Sequence, residues 1–234
     1  MKLLRQWGQI GGCRALLWSN QAIAAREKAS PSAHLQKRHE LIHSEQELTD
    51  VVVQRRLPQR VMGMRLAERD RDLRFKTEPR FLWSRPFLQQ PNSTVESNFA
   101  DVRNYFYQGK QIDQQVHLGY DLAITQHVGV MAANDGRVVY AAPLGIYGNC
   151  IVLDHGYGLQ SIYGHLSEIA VHEGDMVKRG QVMGKSGQTG LAGGDHIHFS
   201  MQLDGVQIDP KEWWDAHWIR DHIAKRVDLP GFSY

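Results

Sequence analysis

Hydrophobic and polar positions divide the chain into stretches of different rhythm. From about Val116 onward, short apolar runs alternate with glycine turns. They include Gly136-Arg137-Val138-Val139-Tyr140-Ala141, Asn149-Cys150-Ile151-Val152-Leu153, Gln160-Ser161-Ile162-Tyr163 and Gln181-Val182-Met183-Gly184. Another, Ile197-His198-Phe199-Ser200-Met201-Gln202-Leu203, ends at Asp204-Gly205. That dipeptide is a hairpin signal, because both residue types tolerate the positive φ of a tight turn. Many short strands with glycine at the joints predict an all-β domain of antiparallel, barrel-like sheet. The tail then changes period. Asp209 can cap a helix, Pro210 suits its first position and Glu212 sits where a capping box needs it. Trp214, Trp218, Ile219 and Ile223 fall at helical spacing, so a C-terminal helix is expected to pack back on the sheet.

The first part of the chain has no comparable rhythm. Residues 1–85 are irregular and rich in charge, and a helix is expected over 34–50 on sparse apolar positions. Arginines crowd Val51 to Arg85 with only isolated apolar residues. Pro86, Pro91, Asn92 and Ser93 then punctuate the sequence and place a boundary there. The expected organisation is a basic, partly helical N-terminal region over 1–85, a β domain over 86–210 and a helical tail over 211–234.

Composition adds little to this division, but charge sharpens it. The hydrophobic fraction of 42% and the net charge of +2 argue for neither nucleic acid nor membrane as a partner. Residues 1–90 nevertheless hold 17 Lys+Arg against 9 Asp+Glu, leaving 10 against 16 for the rest. A solvated basic arm is the expectation, with attraction to an anionic surface as the alternative. Cys13 and Cys150 make no disulfide framework, and Cys150 reads as a small buried strand residue. No run approaches the roughly 18 apolar residues of a membrane span. Ile10-Gly11-Gly12-Cys13 has the look of a lipoprotein cleavage box but lacks an apolar stretch before it, so the start of the chain does not establish export.

Two histidine clusters carry candidate chemistry. In His117-Leu118-Gly119-Tyr120-Asp121, an even offset puts both polar side chains on one face of an extended chain, with Leu118 and Tyr120 on the other. In His196-Ile197-His198, the same period aligns two imidazoles. Imidazole nitrogen and carboxylate oxygen are ordinary zinc donors, and a catalytic site uses three of them with one position left open. Each pattern is weak alone; both within one glycine-punctuated β domain are stronger. His165 ends an apolar strand in Tyr163-Gly164-His165-Leu166 and offers a group that moves protons. His155, His127 and His172 read as turn or loop residues.

These segments, taken in order with Gly187-Gln188-Thr189-Gly190 and His196-Ile197-His198-Phe199, resemble the lysostaphin/LytM-type zinc metallopeptidases. Asp135-Gly136, Tyr147-Gly148-Asn149, Asp154-His155-Gly156 and Lys178-Arg179-Gly180-Gln181 are also similar to that family, over roughly Val116 to Pro210. The resemblance implies a metalloendopeptidase that hydrolyses peptide bonds in bacterial peptidoglycan, in the cell envelope, periplasmic or secreted. It implies one Zn2+ per chain held by His117, Asp121 and His198, with His165 and His196 as the catalytic pair. One of the pair would take the water's proton and pass it to the leaving amine, while the other would hydrogen-bond the oxyanion. Tyr105 and Tyr107 are expected to pack in the core or groove, with an oxyanion donor as the alternative. The family also contains non-cleaving modules that bind and activate other wall hydrolases. The presence of all five residues favours the enzyme.

Two other patterns compete. His39-Glu40-Leu41-Ile42-His43 spells the helical H-E-x-x-H of another zinc peptidase class. Its flanks, Gln36-Lys37-Arg38 and Ser44-Glu45-Gln46-Glu47, mark a solvated segment that could not hold ligands rigidly. Val171 to Gln181 is similar to the turn-rich half of lipoyl and biotinyl carriers, but no modifiable lysine at a hairpin tip follows.

Overall fold

The computed structural model describes residues 43–47, 72–227 and 229, all within one contact unit, His43–Tyr234. Its strands are β1 (His43–Glu47), β2 (Thr94–Ser97), β3 (Val102–Tyr107), β4 (Lys110–Val116), β5 (Tyr120–Ala123), β6 (Gly129–Met131) and β7 (Gly136–Pro143). They continue as β8 (Asn149–Asp154), β9 (Leu159–Leu166), β10 (Glu168–Ile169), β11 (Met176–Val177), β12 (Val182–Lys185), β13 (His196–Leu203) and β14 (Val206–Ile208). An eight-stranded sheet contains β11-β7-β8-β9-β13-β5-β2 in that order, with β14 pairing β13. Two further sheets have three strands each, β1-β3-β4 and β10-β12-β6. Every pairing is antiparallel except β1 with β3. The all-β class expected from the glycine-spaced runs is therefore the class observed.

The centre of the large sheet is its driest part. Along β9 every residue from Leu159 to Leu166 is buried, and β8 is buried from Cys150 to Asp154. Cys150 is fully buried and unbridged, as a small strand residue should be. Asp204 (φ 51) and Gly205 (φ 77) both adopt left-handed backbone, so the expected tight turn joins β13 to β14.

The sequence boundary near Pro86 does not coincide with a break in packing. Leu73, Trp83 and Phe87 are buried, and each large ring contributes about 1.5–3 kcal/mol by leaving water. Trp83, Phe87 and Trp213 form an edge-to-face cluster. Residues 77–78 are tied down by polar contacts: Thr77 Oγ1 and the Glu78 N–H donate to the Asp154 carboxylate at 2.7 and 2.9 Å. Gly156 shows how closely this strap lies. At its φ of +92°, an added Cβ would come within 1.8 Å of the Arg80 carbonyl oxygen.

Two expected elements differ. Part of the helix expected over 34–50 is the strand β1, whose backbone is recruited by the edge of β3; the rest lies outside the described residues. The C-terminal tail is not one helix but α1 (Pro210–Trp214), α2 (Ala216–Ile219) and a π turn (Arg220–Ala224). Asp209 caps α1 as expected, but Asp215 starts a second helix by accepting from the His217 and Trp218 N–H groups. The break rotates the face, so Trp213 is buried beside Ile219 and Ile223, while Trp214 is half-buried and stacks on Phe199.

His155 shows the price of this dry interior. Its Nδ1 donates to the Asp135 carbonyl at 2.7 Å, its Nε2 lies 2.7 Å from Ser161 Oγ, and its ring meets Phe87 edge-on. Burial pushes its pKa down to about 4. Because the folded value lies below the unfolded one, the contribution to stability is full above about pH 6.5 and is lost as pH falls toward 4. The integral is on the order of 3 kcal/mol. Denaturant titrations of wild type should lose stability across that interval. The His155→Gln variant, already weaker at pH 7.5, should lose less over the same interval, and parallel curves would refute the assignment.

Candidate metal centre

The central register of the large sheet assembles the site. On β13, His198 lies opposite Asp121 of β5 and Gly164 of β9, while His196 lies opposite Ala123. Period 2 works here as expected: Ile197 is buried on the far side, and both imidazoles share the other face. His117 arrives differently from the extended reading. Strand β4 ends at Val116 and β5 begins at Tyr120, so residues 117–119 form a bend between two sheets. Leu118 consequently faces solvent while Tyr120 is buried, where one common face had been expected. Gly119 permits the bend. A Cβ there would meet the Phe199 carbonyl at 2.6 Å and His198 Nε2 at 2.7 Å.

His117, Asp121 and His198 nevertheless converge, all three buried. His117 Nε2 lies 3.1 Å from Asp121 Oδ1 and 3.1 Å from His198 Nδ1, and the last two atoms are 3.0 Å apart. His117 Nδ1 donates to the Asn98 carbonyl at 2.8 Å, which leaves Nε2 of the neutral ring as an acceptor. Its contact with Asp121 Oδ1 thus joins two acceptors. Burial lowers the pKa of His198, and its Nε2 is buried without a partner. A single imidazole proton cannot serve both remaining contacts. A cation at the centre resolves the conflict. Donors bound to zinc at about 2.0–2.1 Å in a tetrahedron are about 3.3–3.4 Å apart, close to this triangle. The donor set fits the metal.

The two oxygens of the carboxylate have different partners. Asp121 Oδ1 faces the histidines, and Oδ2 accepts a short hydrogen bond from Arg103 Nη2. Burial alone would raise the Asp121 pKa, but the surrounding imidazoles of His117, His196 and His198 outweigh it, and the value falls well below the usual carboxylate range.

His165 and His196 stand beside the triangle, their rings 4.7 Å apart. His165 Nδ1 donates to the Thr189 carbonyl at 2.9 Å and His196 Nδ1 to the Gly194 carbonyl at 2.9 Å. Both rings therefore keep Nε2 for proton transfer. His165 adopts φ +65°, a left-handed conformation costly for a residue with a Cβ, and such strain often accompanies function. Burial and the neighbouring charges of His198 and His196 lower its pKa to about 3. For His196, burial opposes the charge, yet the neighbouring carboxylate of Asp121 raises its pKa. The two histidines thus have opposite protonation tendencies.

All five residues singled out by the sequence meet here. Arg103 was missed, since it reaches the site from another sheet with no local motif. Asn98 and Thr189 act through their carbonyls, and Tyr147 lays its ring 5.1 Å from that of His198. Tyr105 is buried on β3, whereas Tyr107 accepts from Gln108 at the hairpin end. His155 is structural, His127 and His172 are exposed, and of His39–His43 only His43 is described, at the start of a strand.

Comparison with known proteins points to one family. The profile of Peptidase family M23 matches residues 115–210. The chain is 38% identical over 115 residues to the peptidoglycan DD-endopeptidase ShyA of Vibrio cholerae, covering 49% of this chain and 26% of that one. It is 31% identical over 129 residues to the murein hydrolase activator NlpD of Salmonella dublin, covering 52% and 34%. A crystal structure from Pseudomonas aeruginosa, assigned to peptidase M23, superposes with a TM-score of 0.53 at 29% identity, covering 66% of this chain and 60% of that one. The first curated relatives are much longer than the match: it spans 22% of each of three and 41% of a fourth. The chain carries, over residues 115–210, a domain of peptidase family M23, the lysostaphin/LytM type.

Proposed function

We propose that this chain is a zinc metalloendopeptidase that hydrolyses peptide bonds of bacterial peptidoglycan in the cell envelope. The observation that carries the reading is the buried triangle of acceptors, His117, Asp121 and His198, flanked by two histidines that are not part of it. Zinc held there supplies a Lewis acid for the scissile carbonyl and lowers the pKa of its water toward about 7. The chain's own residues do the rest. His117 is held by its hydrogen bond to the Asn98 carbonyl and His198 by ring packing against His117 and Tyr147, so the donors need little reorganisation. His165 and His196, each with Nδ1 spent on a carbonyl, move the proton through Nε2 and hydrogen-bond the developing oxyanion.

A second reading has a specific observation behind it, the similarity to the murein hydrolase activator NlpD. On that reading the same domain binds another wall hydrolase and cuts nothing. Incubation of the full chain with purified peptidoglycan separates the two. The enzyme reading expects soluble peptides whose release stops with a zinc chelator and resumes on adding zinc. Zinc-loaded protein that releases no peptide, yet stimulates a separate wall hydrolase, would favour the activator.

A further inference from the structure

We infer that Arg103 is a positioning residue for the metal: by holding one oxygen of Asp121, it restricts that carboxylate to a single ligating oxygen and keeps the fourth coordination position open. The inference rests on the zinc reading above and adds a residue that the ligand set does not contain.

Arg103 belongs to β3, in the three-stranded sheet, whereas Asp121 belongs to β5 of the large sheet. The hairpin of β3 and β4 runs directly into His117, so the element that delivers the first ligand also delivers this guanidinium. The Asp121 oxygens are not equivalent. Oδ1 lies 3.0–3.1 Å from the donor nitrogens of His198 and His117. Oδ2 is taken by Arg103 Nη2. The side chains are 26% and 10% exposed, so neither is free to drift in solvent.

A carboxylate can bind a cation through one oxygen or chelate it through both. Chelation by Asp121 would fill the place that water and substrate need, because a catalytic zinc site keeps one position open beyond its three protein ligands. A planar, always charged guanidinium suits this role, since its N–H groups are fixed in direction, unlike the rotating ammonium of lysine. Its positive charge opposes the cation, so its place is explained by the pairing with Asp121 Oδ2 and not by attraction to the metal.

The test replaces Zn2+ by Co2+ in the full chain, whose visible bands are intense when four-coordinate and weak at higher coordination. Wild type is expected to show intense bands. Arg103→Met is expected to show weakened bands, with kcat lower by about 10–100-fold and KM little changed. Arg103→Lys, with a single mobile donor, is expected to fall between the two, and it can be read against wild type if the methionine variant does not fold. Melting of the metal-free proteins separates a general loss of structure from a change at the metal. Arg103 variants with wild-type bands and wild-type kcat would overturn the inference. Wild type that takes up no Co2+ or Zn2+ would instead overturn the zinc reading itself, so the two failures are distinct.

Discussion

Replacing His117 with alanine is expected to remove zinc and hydrolysis together. His117 Nε2 makes two sides of the donor triangle, and its other nitrogen is fixed by the Asn98 carbonyl, so no nearby group can take its place without rebuilding the bend at Gly119. Loss of a partner behind a ligand costs roughly 10–100-fold, and loss of a ligand exceeds that. The matched control is His39→Ala. It removes the other zinc-peptidase spelling in the chain and should leave zinc content and rate as they were. Metal analysis of both purified variants decides the matter. Zinc retained by His117→Ala and lost by His39→Ala would invert the assignment.

His165 and His196 should behave in the opposite way. His165→Ala and His196→Ala are each expected to keep zinc while kcat falls by about 10²–10⁴. Neither ring is in the triangle; His196 Nε2 stands 3.6 Å from Asp121 Oδ1, outside hydrogen-bond distance. Melting of the metal-free variant shows whether the left-handed backbone at position 165 accepts alanine. Zinc analysis beside turnover separates the cases. If either variant lost its zinc, that histidine would be holding the metal rather than moving protons.

The parts of this site that follow period 2 could be read from the chain. His196-Ile197-His198 lies on a true strand, and antiparallel register sets His198 opposite Asp121. His117 and Asp121 come together, but not for the geometric reason that their spacing suggested. They meet across a bend, and a four-residue offset looks the same whether the chain is straight or folded at a glycine. Arg103 left no trace in the sequence, because its contact is made between sheets and eighteen positions away. Residues 77–90 were hidden for another reason. They pack as an extended strap, anchored by single rings such as Trp83 and Phe87 and by the Asp154 carboxylate, so there is no repeat for a periodicity argument to detect. In the tail, Asp215 has the same capping chemistry as Asp209, and it divides what apolar spacing alone joined.

The most direct test of the central claim is mass analysis of fragments released from purified peptidoglycan by the zinc-loaded full chain and by its His196→Ala variant. A zinc site with His196 as a proton-moving group predicts peptide fragments with new amino termini from wild type, none in the presence of chelator, and at most a trace from the variant. Equal release by the variant, or no release by zinc-loaded wild type from any wall or oligoglycine substrate, would contradict it.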